Sequence, residues 1–268
     1  MSRPHPGSFD RVADIYDATR GLPPEAEARM AAKLAELFRR AQPARRLLEV
    51  GVGTGRVALP LAGHGFRVVG VDVSRSMLAK LRAKAGDAPL LPTLGSAMDL
   101  PLRDGAFDGA LFVHVLHLVP DAPRVIRQAI RVVRSGGVLA FGGEDFGVSP
   151  LAVDVRAAMR EAIRRVTGRE LGGSGAHARV LASILHDFAD VGSPVERALL
   201  ARWESTATAR GWIRQLENRD MSWMWRVPDD RLPEIVEELR PRMLALCGDL
   251  DRPHAVPRSM SALVTKLH

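Results

Sequence analysis

Between residues 47 and 72, apolar and polar positions follow one another in blocks that predict a short unit of secondary structure. Residues 47–50 and 68–71 are two apolar runs with the length and composition of buried parallel strands. A short helix over residues 56–62 lies between them and ends at Gly63 and Gly65. The order strand, helix, strand predicts a βαβ unit, whose crossover is right-handed.

Similar patterns continue along the chain. Apolar runs predict further strands at residues 89–95, 107–114, 138–141, 195–202 and 259–267. Helical spacing and capping residues predict helices at residues 23–40, 74–84, 121–134, 151–167, 178–188, 205–216 and 229–246, with Ser74 and Ser205 as N-caps. This alternation of strands and helices predicts an α/β protein.

The segment from residue 144 to residue 191 departs from this alternation. It contains the amphipathic helix over residues 151–167, a glycine-rich stretch at residues 172–175 and the helix over residues 178–188. We interpret the glycine-rich stretch as a flexible linker rather than a ligand cradle. The sequence therefore predicts a helical cap at residues 144–191, inserted over the active site of a core formed by residues 1–143 and 192–268.

Three glycines follow the first predicted strand. Gly51, Gly53 and Gly55 form a G-x-G-x-G turn, in which glycine permits unusual dihedral angles and close approach of a ligand to the backbone. A dinucleotide-binding G-x-G-x-x-G turn would have its third glycine at the position of Arg56. The spacing therefore disfavours a pyrophosphate, and with it a nicotinamide cofactor.

Two acidic residues flank the βαβ unit's turn. Glu49 lies two residues before the first glycine, where a carboxylate suits a positively charged or ammonium-bearing ligand better than a pyrophosphate. Asp72 ends the second strand, where an acidic side chain accepts hydrogen bonds from a ribose diol. Together they indicate a nucleoside ligand that carries a positive charge.

Residues 49–55, Glu-Val-Gly-Val-Gly-Thr-Gly, resemble the first motif of the class I methyltransferases that use S-adenosyl-L-methionine. Within that superfamily the chain resembles the small-molecule enzymes of the ubiquinone and menaquinone biosynthesis type. The resemblance implies a Rossmann-like, mostly parallel sheet of seven strands flanked by helices, with the last strand antiparallel beside strand six. It also implies that the glycine loop lies against the methionine part of the cofactor and that Asp72 holds the ribose hydroxyls.

The resemblance implies further cofactor contacts. Tyr16 and Arg20 lie in an N-terminal segment that folds over the cofactor in the family, so they are expected near its carboxylate end. Packing of Tyr16 into the core is the alternative. Ser76 and Met77 occupy the place that packs against adenine, and core packing alone also explains Met77.

Residues 95–102 resemble a later motif of the same family. Ser96 stands where the family has an aspartate that binds the adenine amino group, and a serine can still make one hydrogen bond. The backbone of Ala97 and the side chain of Met98 are expected at the edge of the adenine. His114, at the end of the fourth strand, is expected to line the cofactor pocket.

Methyl transfer from a sulfonium is an in-line displacement, which needs a positioned nucleophile and exclusion of water. A base is needed only when the acceptor must lose a proton. His117 is the first candidate for that base and His114 the second, because histidine titrates near neutral pH; alternatively, both are structural.

Candidates for the substrate pocket come from the second half of the chain. Glu144 follows the fifth strand and could hold an amine or a metal, whereas Trp223 and Trp225 could wall an apolar acceptor or pack the helices. No group of histidine, aspartate and glutamate has metal-ligand spacing, so the sequence predicts no metal.

Composition narrows the classes of protein. The chain has 268 residues, of which 46% are hydrophobic, and a formal net charge of +7. Its single cysteine, Cys247, excludes an internal disulfide and a cysteine-based metal cluster. With no signal peptide and no apolar run of membrane-spanning length, the sequence predicts a cytoplasmic protein. The basic residues are spread over many segments, which favours a charged surface over a nucleic-acid site.

These observations lead to one hypothesis and several alternatives. The hypothesis is a methyltransferase that uses S-adenosyl-L-methionine and acts on oxygen, nitrogen or carbon of a small molecule. The basic charge keeps an RNA-modifying methyltransferase or RNA-binding protein as an alternative. A non-catalytic cofactor-binding protein and a nicotinamide oxidoreductase are further alternatives, the latter disfavoured by Arg56.

Overall fold

A computed structural model describes residues 9–10, 13–14, 16–41, 43–145, 149–171 and 194–268. The strands are β1 (Arg46–Val50), β2 (Arg67–Asp72), β3 (Leu90–Leu94), β4 (Phe107–Val113), β5 (Val133–Glu144), β6 (Glu196–Ala207) and β7 (His254–Lys266). The helices are α1 (Tyr16–Arg20), α2 (Pro24–Phe38), α3 (Ala58–Gly63), α4 (Arg75–Ala85), α5 (Ala122–Val132), α6 (Pro150–Thr167), α7 (Ala209–Glu217) and α8 (Leu232–Cys247). The predicted glycine-rich stretch and the helix over residues 178–188 lie outside the described residues.

The strands form one seven-stranded sheet in the order β3-β2-β1-β4-β5-β7-β6. Parallel pairing joins β1 to β2 and β4, β2 to β3, and β4 to β5. β7 runs antiparallel to β5, because Gly136 near the start of β5 donates to Leu267 and Asp145 after its end donates to Ser259. The predicted sheet, with its late antiparallel strand, is confirmed.

The centre of the sheet explains why the apolar runs are so dense. All seven residues of β4 are buried, as expected for a strand that is covered on both faces. Gly109 in this strand permits close packing of a helix, since a Cβ there would lie 2.6 Å from the ring of Phe38 in α2.

Two predicted boundaries were wrong. β5 begins at Val133 rather than at residue 138, because α5 ends at Val132 and the following glycines pair with the last strand. Ser205 does not cap a helix; it lies inside β6, where its hydroxyl donates to the carbonyl of Val256 at 3.2 Å. The N-cap of α7 is Thr208, whose hydroxyl accepts from the backbone of Gly211 at 3.0 Å.

The described residues divide into two compact units. The first contains described residues within 9–143, 194–201 and 260–268, and the second contains those within 144–171 and 202–259. In the second unit, helices α6, α7 and α8 share one apolar core. No helix within the described ranges is long and apolar enough to cross a membrane. The predicted extent of the cap, residues 144–191, stays a prediction.

A buried carboxylate fixes the end of the sheet opposite the glycine loop. One oxygen of Asp108 accepts from the backbone of Arg45 and Arg46, both at 2.8 Å, and the other accepts from Nε of Arg134 at 2.8 Å. Burial would raise the pKa of Asp108, but these hydrogen bonds outweigh it and hold the pKa below its usual range. The charge on Asp108 therefore joins β1, β4 and β5.

We expect Asp108→Asn to lower the free energy of unfolding by about 2 kcal/mol, because an amide cannot accept from all three donors and carries no charge. Urea denaturation near pH 7 measures the change. Asp104→Asn is the control, since Asp104 also pairs with an arginine but its side chain is 77% exposed; it should change stability by less than about 0.5 kcal/mol. Equal losses in the two variants would contradict a special role for Asp108.

Candidate active site

The glycine loop between β1 and α3 has a backbone that only glycine adopts easily. Gly51, Gly53 and Gly55 have φ angles of +74°, +54° and +83°. A Cβ on Gly51 would lie 2.6 Å from Val115, and one on Gly55 would lie 2.3 Å from Leu81. At Gly53 the nearest atom is 3.7 Å away. The outer glycines therefore serve packing, and the middle one leaves room for a ligand against the backbone.

Glu49 ends β1 beneath this loop and is only 3% exposed. Burial raises the pKa of Glu49 to about 8, against the opposing effects of the Arg56 charge and a hydrogen bond from the backbone of Ala58. Its Oε2 atom has no hydrogen-bond partner among the described residues. A buried acceptor in this state is unfavourable unless a cationic donor satisfies it, so the position fits the ammonium group of a ligand.

Asp72 ends β2 and supports the glycine loop. One oxygen accepts from the backbone of Gly53 and the other from the backbone of Ser74, both at 2.8 Å. Burial is the main reason that the pKa of Asp72 is raised, and the nearby charge of Asp10 adds to the effect. Since each carboxylate oxygen has two lone pairs, Asp72 keeps acceptor capacity for ribose hydroxyls.

The N-terminal segment is fastened to the glycine loop. Thr54 donates to a carboxylate oxygen of Asp17 at 2.5 Å, and Lys84 donates to the other at 2.7 Å. Arg56 donates to the backbone carbonyl of Arg20 at 2.5 Å. These contacts place α1 directly beside the loop, as the sequence predicted for an N-terminal cofactor segment.

Tyr16 lies at the start of α1, within reach of the charges of the site. Its ring packs edge-on against Phe9 at 5.8 Å between centroids. Burial raises the pKa of the Tyr16 hydroxyl, while Glu49 and Asp72 add smaller effects in the same direction and Arg56 an opposing one. Tyr16 therefore combines aromatic packing with a place among the charged groups around the loop.

Asp10 is a site residue that the sequence did not reveal. One of its oxygens accepts from the hydroxyl of Ser74 at 2.6 Å and from both the hydroxyl and the backbone of Ser76 at the start of α4. A negative charge is stabilised at a helix N-terminus. The acidic residues of the N-terminal segment were the only signal, because nothing in their spacing pairs them with the start of α4.

The predicted adenine contacts come together at the ends of β2 and β3. Gly95 donates to the backbone carbonyl of Asp72 at 3.0 Å, which brings the residues after β3 beside the second strand. The Ser96 hydroxyl accepts from the backbone of Met98 at 3.2 Å, so it shapes the turn that replaces the usual aspartate. Ala97 and Met98 are half-buried, whereas Met77, on α4, is buried.

The two histidines after β4 have different environments. His114 is half-buried and has a φ angle of +54°, a conformation that a non-glycine residue adopts rarely and that occurs often at functional sites. Its ring lies beside Gly143 in β5. His117 is exposed. The structure therefore favours His114 over His117, the reverse of the order predicted from the sequence.

The predicted substrate-pocket residues belong to the second unit. Glu144 pairs with Arg258 there. The indole N–H of Trp225 donates to the backbone of Arg219 at 2.9 Å, and that of Trp223 points to the sulfur of Met221 at 3.3 Å. Among the residues that the structure describes, no three or more histidine, cysteine or acidic side chains form a metal-binding group.

Comparison with known proteins decides the family. The family described as "Methyltransferase domain" matches residues 48–141, which include the glycine loop and the strand before His114. The chain is 30% identical over 191 residues to 27-O-demethylrifamycin SV methyltransferase of Amycolatopsis mediterranei, covering 62% of this chain and 68% of that relative. The chain belongs to the S-adenosylmethionine-dependent methyltransferases. The predicted family and cofactor are confirmed.

Other comparisons agree with this membership. The chain is 33% identical over 152 residues to 2-phytyl-1,4-naphthoquinone methyltransferase of Synechococcus elongatus, covering 54% of this chain and 65% of the relative. The YcgJ protein of Bacillus subtilis has the same fold, with a TM-score of 0.55 at 17% identity over 89% of this chain and 99% of its own. The chain spans 47% to 65% of the length of several curated relatives.

Proposed function

We propose that this methyltransferase moves the methyl group of S-adenosyl-L-methionine to oxygen, nitrogen or carbon of a small molecule. The named relatives, which act on a rifamycin precursor and a naphthoquinone, support a small-molecule acceptor. The observation that carries the proposal is the unpartnered, buried oxygen of Glu49 beside the open face of Gly53. An ammonium-bearing nucleoside satisfies that oxygen, and a dinucleotide pyrophosphate does not.

The residues present fit this cofactor, which supplies an electrophilic methyl group when bound. We assign Glu49 to the ammonium and Asp72 to the ribose hydroxyls. Gly53 lets the cofactor approach the backbone, and Tyr16 and Arg20 close the side formed by the N-terminal segment. Ser76 and Met77, with Ser96, Ala97 and Met98, form the adenine end.

The remaining work of the chain is to position the acceptor and to exclude water, which accounts for most catalysis of an in-line displacement. The contacts of Asp17 and Arg56 that fasten the N-terminal segment to the loop support water exclusion. Where the acceptor must lose a proton, we assign the base to His114, because it is half-buried at the carboxyl end of β4, the edge where ligands bind in such sheets.

His114→Asn is the variant that tests the base, since asparagine tolerates a positive φ and cannot take up a proton near neutral pH. With an oxygen acceptor that the wild type methylates, we expect kcat to fall about 100-fold and the affinity for S-adenosylhomocysteine to stay within about threefold. His117→Asn, at the exposed histidine, should keep kcat within about threefold. Equal losses in both variants, or none, would exclude His114 as the base.

Ligand specificity tests the function itself. Thermal unfolding with S-adenosyl-L-methionine, S-adenosylhomocysteine or NAD should show stabilisation by the first two only, because a ligand that binds the folded state raises the midpoint. Stabilisation by NAD alone would refute the proposal. Transfer of labelled methyl groups to RNA, with a steep dependence of RNA binding on salt, would favour the RNA-modifying alternative. The predicted cytoplasmic location stays a prediction.

A further inference from the structure

Three arginines and one glutamate lie together in the second unit. Arg156 and Arg160 are one turn apart on α6, Arg258 lies on β7, and Glu144 ends β5. Arg258 donates to Oε2 of Glu144, and the charges of the other three members act on Arg156. We call these four residues the arginine cluster.

The arginine cluster carries an excess of positive charge in a partly buried place. The Glu144 side chain is 14% exposed and that of Arg258 is 38% exposed, while Arg156 and Arg160 are half-buried. Burial lowers the pKa of Arg156, and the charges of Arg160 and Arg258 lower it further, against the opposing effect of Glu144. Three guanidinium groups around one carboxylate leave a net charge of about +2 at neutral pH.

Guanidinium groups gathered in this way recognise carboxylate and phosphate, since their planar donors match two oxygens at once. Trp203 adds an apolar wall, because Cζ of Arg258 lies 5.9 Å from the centre of its ring. The cluster thus offers an anion-binding place beside an aromatic face.

The position of the cluster in the chain links it to catalysis. Glu144 directly follows Gly143, the residue beside the ring of His114. It therefore stands at the carboxyl end of a sheet strand, where ligands of such sheets bind. The sequence left Glu144 as a partner for an amine or a metal, but Arg258 already neutralises this carboxylate.

We propose that the arginine cluster binds a carboxylate or phosphate group of the methyl acceptor, with Trp203 beside the acceptor's apolar body. This inference rests on the proposed function, because it names the class of molecule that receives the methyl group. The acceptor is accordingly an anion rather than an amine or a neutral quinol.

Small aromatic probes test the proposal on the full chain in the presence of S-adenosylhomocysteine. Benzoate and phenyl phosphate carry the two anionic groups, and benzamide is the neutral analogue of benzoate. By ligand-observed NMR titration, at least one anion should bind about tenfold more tightly than benzamide, and the stronger of the two identifies the group. Equal binding of benzamide, or no binding of either anion, would overturn the proposal.

Variants locate the binding. Arg156→Gln and Arg160→Gln should each weaken the preferred anion about tenfold, and the second serves if the first does not fold. Arg164→Gln on the same helix removes an equal charge from an exposed arginine that pairs with Glu161, and it should change binding less than twofold. An equal loss in Arg164→Gln would show non-specific attraction and refute the site.

The affinity of each sample for S-adenosylhomocysteine separates the two levels of the inference. If the wild type binds S-adenosylhomocysteine but neither anion, only the arginine cluster proposal fails. If the wild type does not bind S-adenosylhomocysteine, the proposed function fails before the acceptor is considered.

Discussion

Binding of S-adenosylhomocysteine at pH 7 is expected to release close to one proton from the wild type and almost none from Glu49→Gln. Burial raises the pKa of Glu49 to about 8, so its carboxyl group is mostly protonated in the free protein at this pH. The ammonium of the ligand favours the charged carboxylate, and the proton is lost on binding. Isothermal titration calorimetry in buffers of different ionisation enthalpy counts the protons.

The same replacement should weaken binding about 100-fold, since it removes the charged partner of a buried ammonium. Asp87→Asn is the control, because it neutralises an exposed acid in the turn after α4; it should change neither affinity nor proton release. A proton count near zero in the wild type would contradict the assignment of Glu49 to the ammonium.

Glu49 also makes the stability of the ligand-free protein depend on pH. Its pKa is higher in the folded state than the usual 4.5, so the folded state binds more protons than the unfolded state between about pH 4.5 and pH 8. The contribution of Glu49 is therefore most favourable below this window and declines as pH rises, by at most about 1.4 kcal/mol per pH unit. Glu49→Gln should flatten this part of the profile, measured by urea denaturation at several pH values.

The parts of the fold that follow from local pattern could be predicted from the sequence. The βαβ unit, the glycine loop and the buried fourth strand each depend on neighbouring residues, whose apolar spacing and glycine positions are visible in the chain. Asp72 and Glu49 could be placed for the same reason, since each stands at the end of a recognisable strand.

Contacts between distant residues could not be predicted in this way. Asp10 meets Ser76 across 66 positions and Glu144 meets Arg258 across 114, and no periodic pattern links either pair. The choice between the two histidines also depended on tertiary structure, because burial and the backbone angle at His114 arise from the packing around β4. β5 was predicted too short because its first residues are polar and glycine-rich, and only pairing with β7 makes them a strand.

Gly55→Ala is expected to lower the free energy of unfolding by about 4 kcal/mol, the largest loss of stability expected in the glycine loop. A methyl group there would lie 2.3 Å from the buried side chain of Leu81 and within 3.3 Å of Leu59, and alanine would also be strained at a φ angle of +83°. Both effects act on the folded protein without any ligand. Urea denaturation of the ligand-free protein measures the loss.

Gly53→Ala separates this packing role from ligand binding. Its φ angle of +54° predicts a loss of only about 1–2 kcal/mol, since no atom lies within ordinary contact distance except one methionine methyl. The added methyl group fills the open face of the loop, so the affinity for S-adenosylhomocysteine should fall at least about tenfold.

Gly65→Ala is the matched control for Gly53→Ala, because Gly65 also has a positive φ angle, +89°, and a Cβ there would meet no atom within 4 Å. Backbone strain should then lower its stability by a similar amount, about 1–2 kcal/mol, while calorimetry shows unchanged affinity for S-adenosylhomocysteine. If Gly53→Ala kept the affinity of the wild type, the cofactor would not approach the backbone at Gly53. The middle glycine would then be a turn residue like Gly65, and the ligand-binding role of the loop would rest on Glu49 and Asp72 alone.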